Sequence, residues 1–265
     1  MRLVSLSSGS SGNCIYIGSE SHHILVDTGI PRKRVEEGLA ALDLLPSDLN
    51  GILITHEHTD HTIGLGVLAR KYEVPVYGTP GTLRMVRQTR ALGEFPDGLF
   101  HEIQAEQNFA LGDLEIYPFS VAHDAAEPVA YRVRCGEKAV GVVTDLGEYT
   151  EDTVAALQNL DAILLEANHD VRMLQAGPYP YYLKQRVLGR RGHLSNENAG
   201  RLLGAVLHGG MKSILLGHLS KENNYAELAY ETVRMEITMG DGGFRGDDFS
   251  IAVAPRTGSS DIIYV

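Results

Sequence analysis

Three imidazoles and two carboxylates crowd into the six positions His56-Glu57-His58-Thr59-Asp60-His61, directly behind the apolar run Gly51-Ile52-Leu53-Ile54-Thr55. Neutral imidazole and carboxylate suit zinc, manganese and iron, and a set without thiolate favours a hydrolytic metal site over a closed structural one. If the apolar run is a buried strand, the residues behind it leave the sheet as a loop. His56 and His58 can then point one way while Asp60 and His61 turn aside, and one loop can supply two adjacent ions.

Other apolar runs end in the same manner. Ile24-Leu25-Val26 delivers Asp27, Val140 to Thr144 delivers Asp145, Ile214 to Gly217 delivers His218, and the segment from Ile116 ends in His123. A His-rich loop standing alone would read as solvated surface, and a lone His123 as a structural histidine. Strands that deliver polar residues at one end of a sheet instead describe an active site on a rigid scaffold.

This ordered series, HxHxDH at 56–61, then His123, Thr144-Asp145 and Gly217-His218, resembles the metallo-β-lactamase superfamily over nearly the whole chain. The resemblance implies an α/β fold, a four-layer αββα sandwich of two similar halves with metals at one rim. It implies that His56, His58 and His123 hold one divalent ion and Asp60, His61 and His218 a second, with Asp145 bridging. Asp27 would support the metal loop through hydrogen bonds, although an ordinary strand-end turn uses Asp too. The two ions, zinc or manganese, would activate water, so that no Ser or Cys nucleophile is required.

With 265 residues and 43% hydrophobic content the chain can bury a substantial core. Residues 1–265 read as a single metallo-β-lactamase-like domain, because dividing the span from Asp27 to His218 would split the site. The start Met1 to Leu6 has too short an apolar core for an export signal, and no run is long enough to cross a bilayer. Two cysteines, Cys14 and Cys135, make no disulfide framework. The expectation is a cytoplasmic protein with reduced thiols and no membrane partner. A formal net charge of -11 argues against sequence-independent coating of nucleic acid, but bound divalent ions supply positive charge locally.

In chain order, strands are expected at Leu3 to Leu6, Cys14 to Ile17 and His23 to Val26, with Ser7 to Asn13 a small-residue loop, either an anion nest or a flexible hairpin, without a packing role. An amphipathic helix follows over Pro31 to Leu42. Behind the metal loop come a helix over Ile63 to Lys71, a strand Val74 to Tyr77 and a helix Thr82 to Leu92. From Phe100 to His123 the residues alternate as paired strands turning at Gly112-Asp113. Strands at Pro128 to Val133, Ala139 to Val143 and Ile163 to Leu165 are interrupted by a helix Thr153 to Leu160. The last helix is Asn223 to Ile237, the closing strands are Phe249 to Ala254 and Ile262 to Val265, and Gly240 to Asp248 is a loop with no functional account.

Two further clusters stand at strand and helix ends. Glu166-Ala167-Asn168-His169-Asp170 follows Ile163 to Leu165, and Gly192-His193-Leu194-Ser195-Asn196 opens a helix to about Leu207 with Ser195 or Asn196 as its cap and an imperfect capping box. Directly before the second lie Lys184, Arg186, Arg190 and Arg191, the densest basic run. Together with Ser8-Gly9-Ser10-Ser11-Gly12-Asn13-Cys14, these clusters make the chain similar to the YycJ/WalJ family of bacterial exonucleases. That resemblance implies a 5'-to-3' exonuclease on double-stranded DNA, with a place in DNA repair. Within it Asp60 and His193 are catalytic candidates, His193 contacting the scissile phosphate and protonating the leaving oxygen, and His169 is a second choice. Ser195, Asn168, Lys184, Arg190 and Arg191 are the substrate-binding candidates. The competing expectation is hydrolysis of a small ester, thioester, lactam or cyclic phosphodiester on the same metals.

Overall fold

The structure, a computed structural model, describes residues 1–265. The first half runs β1 (Arg2–Ser7), β2 (Cys14–Gly18), β3 (His23–Val26), α1 (Arg32–Ala40), β4 (Gly51–Leu53), α2 (Thr59–Thr62), α3 (Leu65–Tyr72), β5 (Val76–Gly78), α4 (Pro80–Gln88) and β6 (Phe100–Glu102). The second begins with β7 (Phe109–Leu111), β8 (Leu114–Ser120), β9 (Val129–Cys135), β10 (Lys138–Val143), α5 (Glu151–Ala156) and β11 (Ala162–Glu166). It continues with α6 (Val171–Ala176), α7 (Tyr181–Leu188), α8 (Asn196–Val206), β12 (Ser213–Gly217), α9 (Ala226–Met239), β13 (Ser250–Val253) and β14 (Ile263–Tyr264).

Fourteen strands form two seven-stranded sheets, ordered β14-β1-β2-β3-β4-β5-β6 and β13-β12-β11-β10-β9-β8-β7. Each sheet has three antiparallel pairings followed by three parallel ones: β14 to β3 then β3 to β6 in the first, β7 to β10 then β10 to β13 in the second. Strands buried on both faces must be apolar throughout, and alternate side chains then serve different layers. In β3, Ile24 and Val26 enter the core between the sheets, while Leu25 packs outward with Val35, Leu39 and Leu68 of the first helical layer. In β10, Val140 and Val142 face inward, while Val143 meets Leu202, Leu203 and Val233 of the second helical layer. The result is the αββα sandwich, in which each fully buried Leu, Ile or Val contributes about 1.5–3 kcal/mol.

Several sequence expectations change. Phe100–Glu102 pairs with Val76–Gly78 in the first sheet, so only Phe109 to Ser120 forms the expected hairpin. The helix expected over Ile63 to Lys71 is α3, which starts at Leu65, and a separate short helix, α2, lies before it inside the metal loop. Residues 171–188, to which the sequence reading assigns no element, hold α6 and α7. The loop 8–13 does have a packing role: Ser8 and Asn13 are fully buried, Ser8 Oγ accepts from His218 N at 2.8 Å, and Asn13 N donates to Asp60 O at 2.8 Å.

The strand ends aim their polar residues by an uncommon backbone conformation. Asp27, Asp145 and His218 have φ of 61°, 55° and 53°, and each lies one or two residues beyond a strand. A non-glycine residue held in that region costs of order 1–3 kcal/mol, which the surrounding bonds must offset. No helix is long and apolar enough to cross a membrane.

Gly29 lets the metal loop approach this platform. A Cβ on it would lie 1.7 Å from Asp60 O, and its N donates to Asn13 O at 2.7 Å. Gly29→Ala must therefore displace α2 and the ligand candidates it carries. We expect a loss of roughly 2 kcal/mol, a melting-temperature drop of about 4–8 °C, together with reduced metal content. Thermal denaturation and elemental analysis check this, and an unshifted transition would contradict the close approach.

Candidate metal centre

His56, His58 and His123 form one group of potential ligands and Asp60, His61 and His218 a second, the donor atoms within each group lying within 4.8 Å of one another. His56 Nε2 is 3.0 Å and His123 Nε2 3.3 Å from His58 Nδ1. In the second group, Asp60 Oδ2 is 3.5 Å from His61 Nε2 and 3.4 Å from His218 Nε2. Asp145 touches both: Oδ1 is 3.6 Å from His123 Nε2, and Oδ2 is 2.9 Å from His61 Nε2 and 3.6 Å from His218 Nε2.

The outer nitrogens of these rings are already committed. Asp27 Oδ2 accepts from His61 Nδ1 at 2.7 Å, the carbonyl of Gly192 from His123 Nδ1 at 3.0 Å, and Glu166 Oε1 from His218 Nδ1 at 2.9 Å. A neutral imidazole that donates from Nδ1 has a lone pair on Nε2. Three such lone pairs therefore converge with the carboxylates of Asp60 and Asp145. Lone pairs and anions facing a common space demand a cation, and Asp145 Oδ2 is buried without a hydrogen bond. Nitrogen and oxygen donors without thiolate fit divalent ions.

Without an ion, protons on His61 and His218 answer the same demand. Burial alone would raise the Asp145 and Asp60 carboxyls, but the charges of His218 and His61 on the former, and of His61 on the latter, hold both well below the usual carboxylate range. Burial alone would lower His218, yet Asp145, Asp60 and Glu166 push it up to about 10. His56, fully buried and beside the charge of His61, is driven down instead.

Asp27 and Glu166 are the buried supports. Asp27 Oδ1 accepts from Thr55 N at 2.9 Å and Oδ2 from Thr55 Oγ1 at 2.8 Å, in addition to His61. Glu166 Oε2 accepts from Leu146 N at 2.9 Å and Leu194 N at 3.1 Å, and its Oε1 takes His193 Nδ1 at 2.8 Å beside that of His218. Burial would raise the Glu166 carboxyl, but His193 and His218 bring it to about 2. Sequence reading singled out the segment 166–170 without giving Glu166 a role. The signal was there, since an acid closing the otherwise apolar β11 has no packing reason to be buried.

His193 is half-buried, makes no hydrogen bond from Nε2, and lines a pocket of about 160 Å³ with Asn168, Arg186, Asp124 and Tyr179. Burial would lower its imidazole, but Glu166 and Asp145 raise it above its ordinary value. Asn168 donates from Nδ2 to His218 O at 2.9 Å. His169 is placed differently: it is 1% exposed, outside both ligand groups and the pocket lining, and burial pushes its imidazole down to about 4. Ser195 Oγ caps α8 by accepting from Asn198 N at 3.2 Å. Lys184 donates to Gln175 O at 2.7 Å, Arg190 pairs with Glu148 in solvent, and Arg191 donates to His123 O at 2.9 Å. None of these four lines the pocket, whereas Arg186 does.

Comparison with known proteins adds a family to this geometry. A family model described as a Beta-lactamase superfamily domain matches residues 22–219. The chain is 40% identical to the Exodeoxyribonuclease WalJ of Streptococcus pneumoniae, over 93% of this chain and 91% of that protein. It is 38% identical to the Exodeoxyribonuclease YycJ of Bacillus anthracis, over 86% of each. Among solved structures, the metallo-beta-lactamase fold protein YhfI from Bacillus subtilis superposes with a TM-score of 0.70 at 17% identity, covering 99% of this chain and 98% of its own.

Glu166→Gln tests the support directly. Each of the two carboxylate oxygens accepts two N–H groups, so an amide in either orientation sets its NH2 against two donors. We expect a stability loss of about 1–3 kcal/mol and a fall in metal affinity of roughly 10- to 100-fold, measured by denaturant titration and by competition with a chelator.

Proposed function

Because the chain belongs to the metallo-β-lactamase superfamily, and within it to the family of the WalJ and YycJ exodeoxyribonucleases, we propose that it is a metal-dependent phosphodiesterase that degrades double-stranded DNA from a strand end in the 5'-to-3' direction. The observation that carries this reading is identity of 40% over nearly the full length of both chains. Residues 1–265 act as one domain in this reading, and a cytoplasmic location and a role in DNA repair go with it.

His56, His58 and His123 would hold one divalent ion and Asp60, His61 and His218 another, with Asp145 shared between them; zinc and manganese both suit these donors. Such ions neutralise charge on a phosphoryl group and lower the pKa of water. The chain's own part is to fix the donors and to manage protons. Asp27 and Glu166 hold His61 and His218 with their Nε2 atoms turned inward. Glu166 also raises the proton affinity of His193, whose Nε2 carries the proton for the leaving oxygen. Asn168 and Arg186, in the same pocket, are placed to contact the strand beside the scissile bond.

End-labelled duplex DNA, single-stranded DNA and RNA, digested with manganese or zinc added, test the reading. Wild type is expected to release nucleotides from the 5' end of DNA, and Asp60→Ala to release none. If a protein shown to hold two metals cleaves no polymer, small-molecule hydrolysis takes the place of this proposal.

His193→Ala is expected to lower turnover about 10²- to 10⁴-fold with metal content unchanged. Loss of metal from that variant would instead make His193 a ligand, in the cluster it forms with Asp145, Glu166 and His218.

A further inference from the structure

Tyr181 and Tyr182 are the two most exposed large apolar or aromatic side chains, at 77% and 73%. They open α7 directly behind Gly177-Pro178-Tyr179-Pro180, where two prolines restrict the backbone that carries them. Exposed aromatic rings on a restricted stem lose little entropy when they bind. The same helix lines the pocket beside His193 through Leu183, Arg186 and Val187.

Helical spacing ties the pair to the site. Tyr182 and Arg186 stand four positions apart, so they share a face one turn apart, about 5–6 Å between Cβ atoms. Arg186 Nε donates to Asp124 Oδ2 at 2.5 Å, and Asp124 Oδ1 lies 3.4 Å from His123 Nε2. Two contacts thus lead from the arginine beside Tyr182 to a metal-ligand candidate.

Charge points the same way. Arg186 and Arg190 are matched by Asp124 and Glu148, but Lys184 and Arg191 donate to backbone carbonyls and keep their charge uncompensated. On a chain of net charge -11, this segment is a local cationic rim. Aromatic faces beside cationic side chains, leading into a phosphodiester-cleaving site, are the chemistry that grips single-stranded nucleic acid.

We propose that Tyr181 and Tyr182 form a stacking platform for unpaired bases at the end of a nucleic-acid strand, alongside the cationic rim that leads to the metal centre. The proposal rests on the nuclease reading and narrows its substrate to an end that has left its duplex. A base inside a duplex already stacks on both faces and offers none to the rings. A frayed or single-stranded end does.

The test uses a phosphorothioate oligonucleotide that resists hydrolysis, in one form with all its bases and in another with the terminal bases removed. Equilibrium binding is measured for wild type, for the double variant Tyr181→Ala/Tyr182→Ala and for Tyr181→Phe/Tyr182→Phe, each checked for an intact fold by circular dichroism. Wild type is expected to bind the base-bearing strand about tenfold to a hundredfold more tightly than the abasic one. The alanine pair should bind the two strands equally, and the phenylalanine pair should keep the preference.

Digestion of the cleavable oligonucleotide by wild type, run in parallel, reports on the nuclease reading separately. Digestion by wild type, together with a binding preference for bases that is the same in wild type and the alanine pair, overturns the platform and leaves that reading standing. Equal weakening of both strands by the alanine pair also overturns it, assigning the tyrosines to a role that ignores bases, such as a protein contact. If wild type neither digests nor binds any strand, the reading fails and the platform with it.

Discussion

Glu166 accepts four N–H groups at once inside the protein, and the second half of the site depends on it. Two come from the backbone of loops that follow β10 and precede α8, and two from the imidazoles of His193 and His218. A carboxylate taken out of water without partners would be severely destabilising. Four charge-assisted bonds offset that, and each requires its donor to be in one place. A ligand candidate and a proton-carrying candidate are therefore positioned by the same anion, so neither ring can be moved without disturbing the other.

The first half repeats the arrangement with different results. Asp27 follows β3 and Asp145 follows β10, strands that stand at the same point in the two sheet patterns, where antiparallel pairing gives way to parallel. Both residues are buried and left-handed. Asp27 uses both oxygens on Thr55 and His61, whereas Asp145 Oδ2 is left without a hydrogen bond. The same backbone feature thus makes a support in one sheet and a ligand candidate in the other, according to how many donors the neighbouring loop supplies.

Much of this was legible in the sequence, because strand-end residues announce themselves. An apolar run closed by Asp27, His56, Asp145 or His218 carries both the strand and the polar residue it delivers, and local pattern suffices to find them. What escaped needs information from elsewhere in the chain. Phe100–Glu102 alternates like the hairpin that follows it, and only its pairing with Val76–Gly78 puts it in the other sheet. Gly177, Pro178 and Pro180 punctuate residues 171–188 and mask two short helices. Ser8 and Asn13 look like parts of a flexible loop until His218 and Asp60 are packed on them. His169 shares its motif with Asn168 and both are buried, yet only Asn168 reaches the pocket lining.

Cys14 and Cys135 are free, so no disulfide ties the two halves together. The ligand candidates would make that tie around a bound ion: His58 faces His123 across 65 positions of chain, and Asp60 faces His218 across 158. A cation gripped from both sides closes loops of that length, and cross-links of this span restrict an unfolded chain by roughly 4–5 kcal/mol in the chain-entropy model. Ion supply then enters the folding equilibrium itself. In a metal-starved cell such a protein would be lost to proteases as well as idle, and its abundance would follow the metal that its chemistry needs.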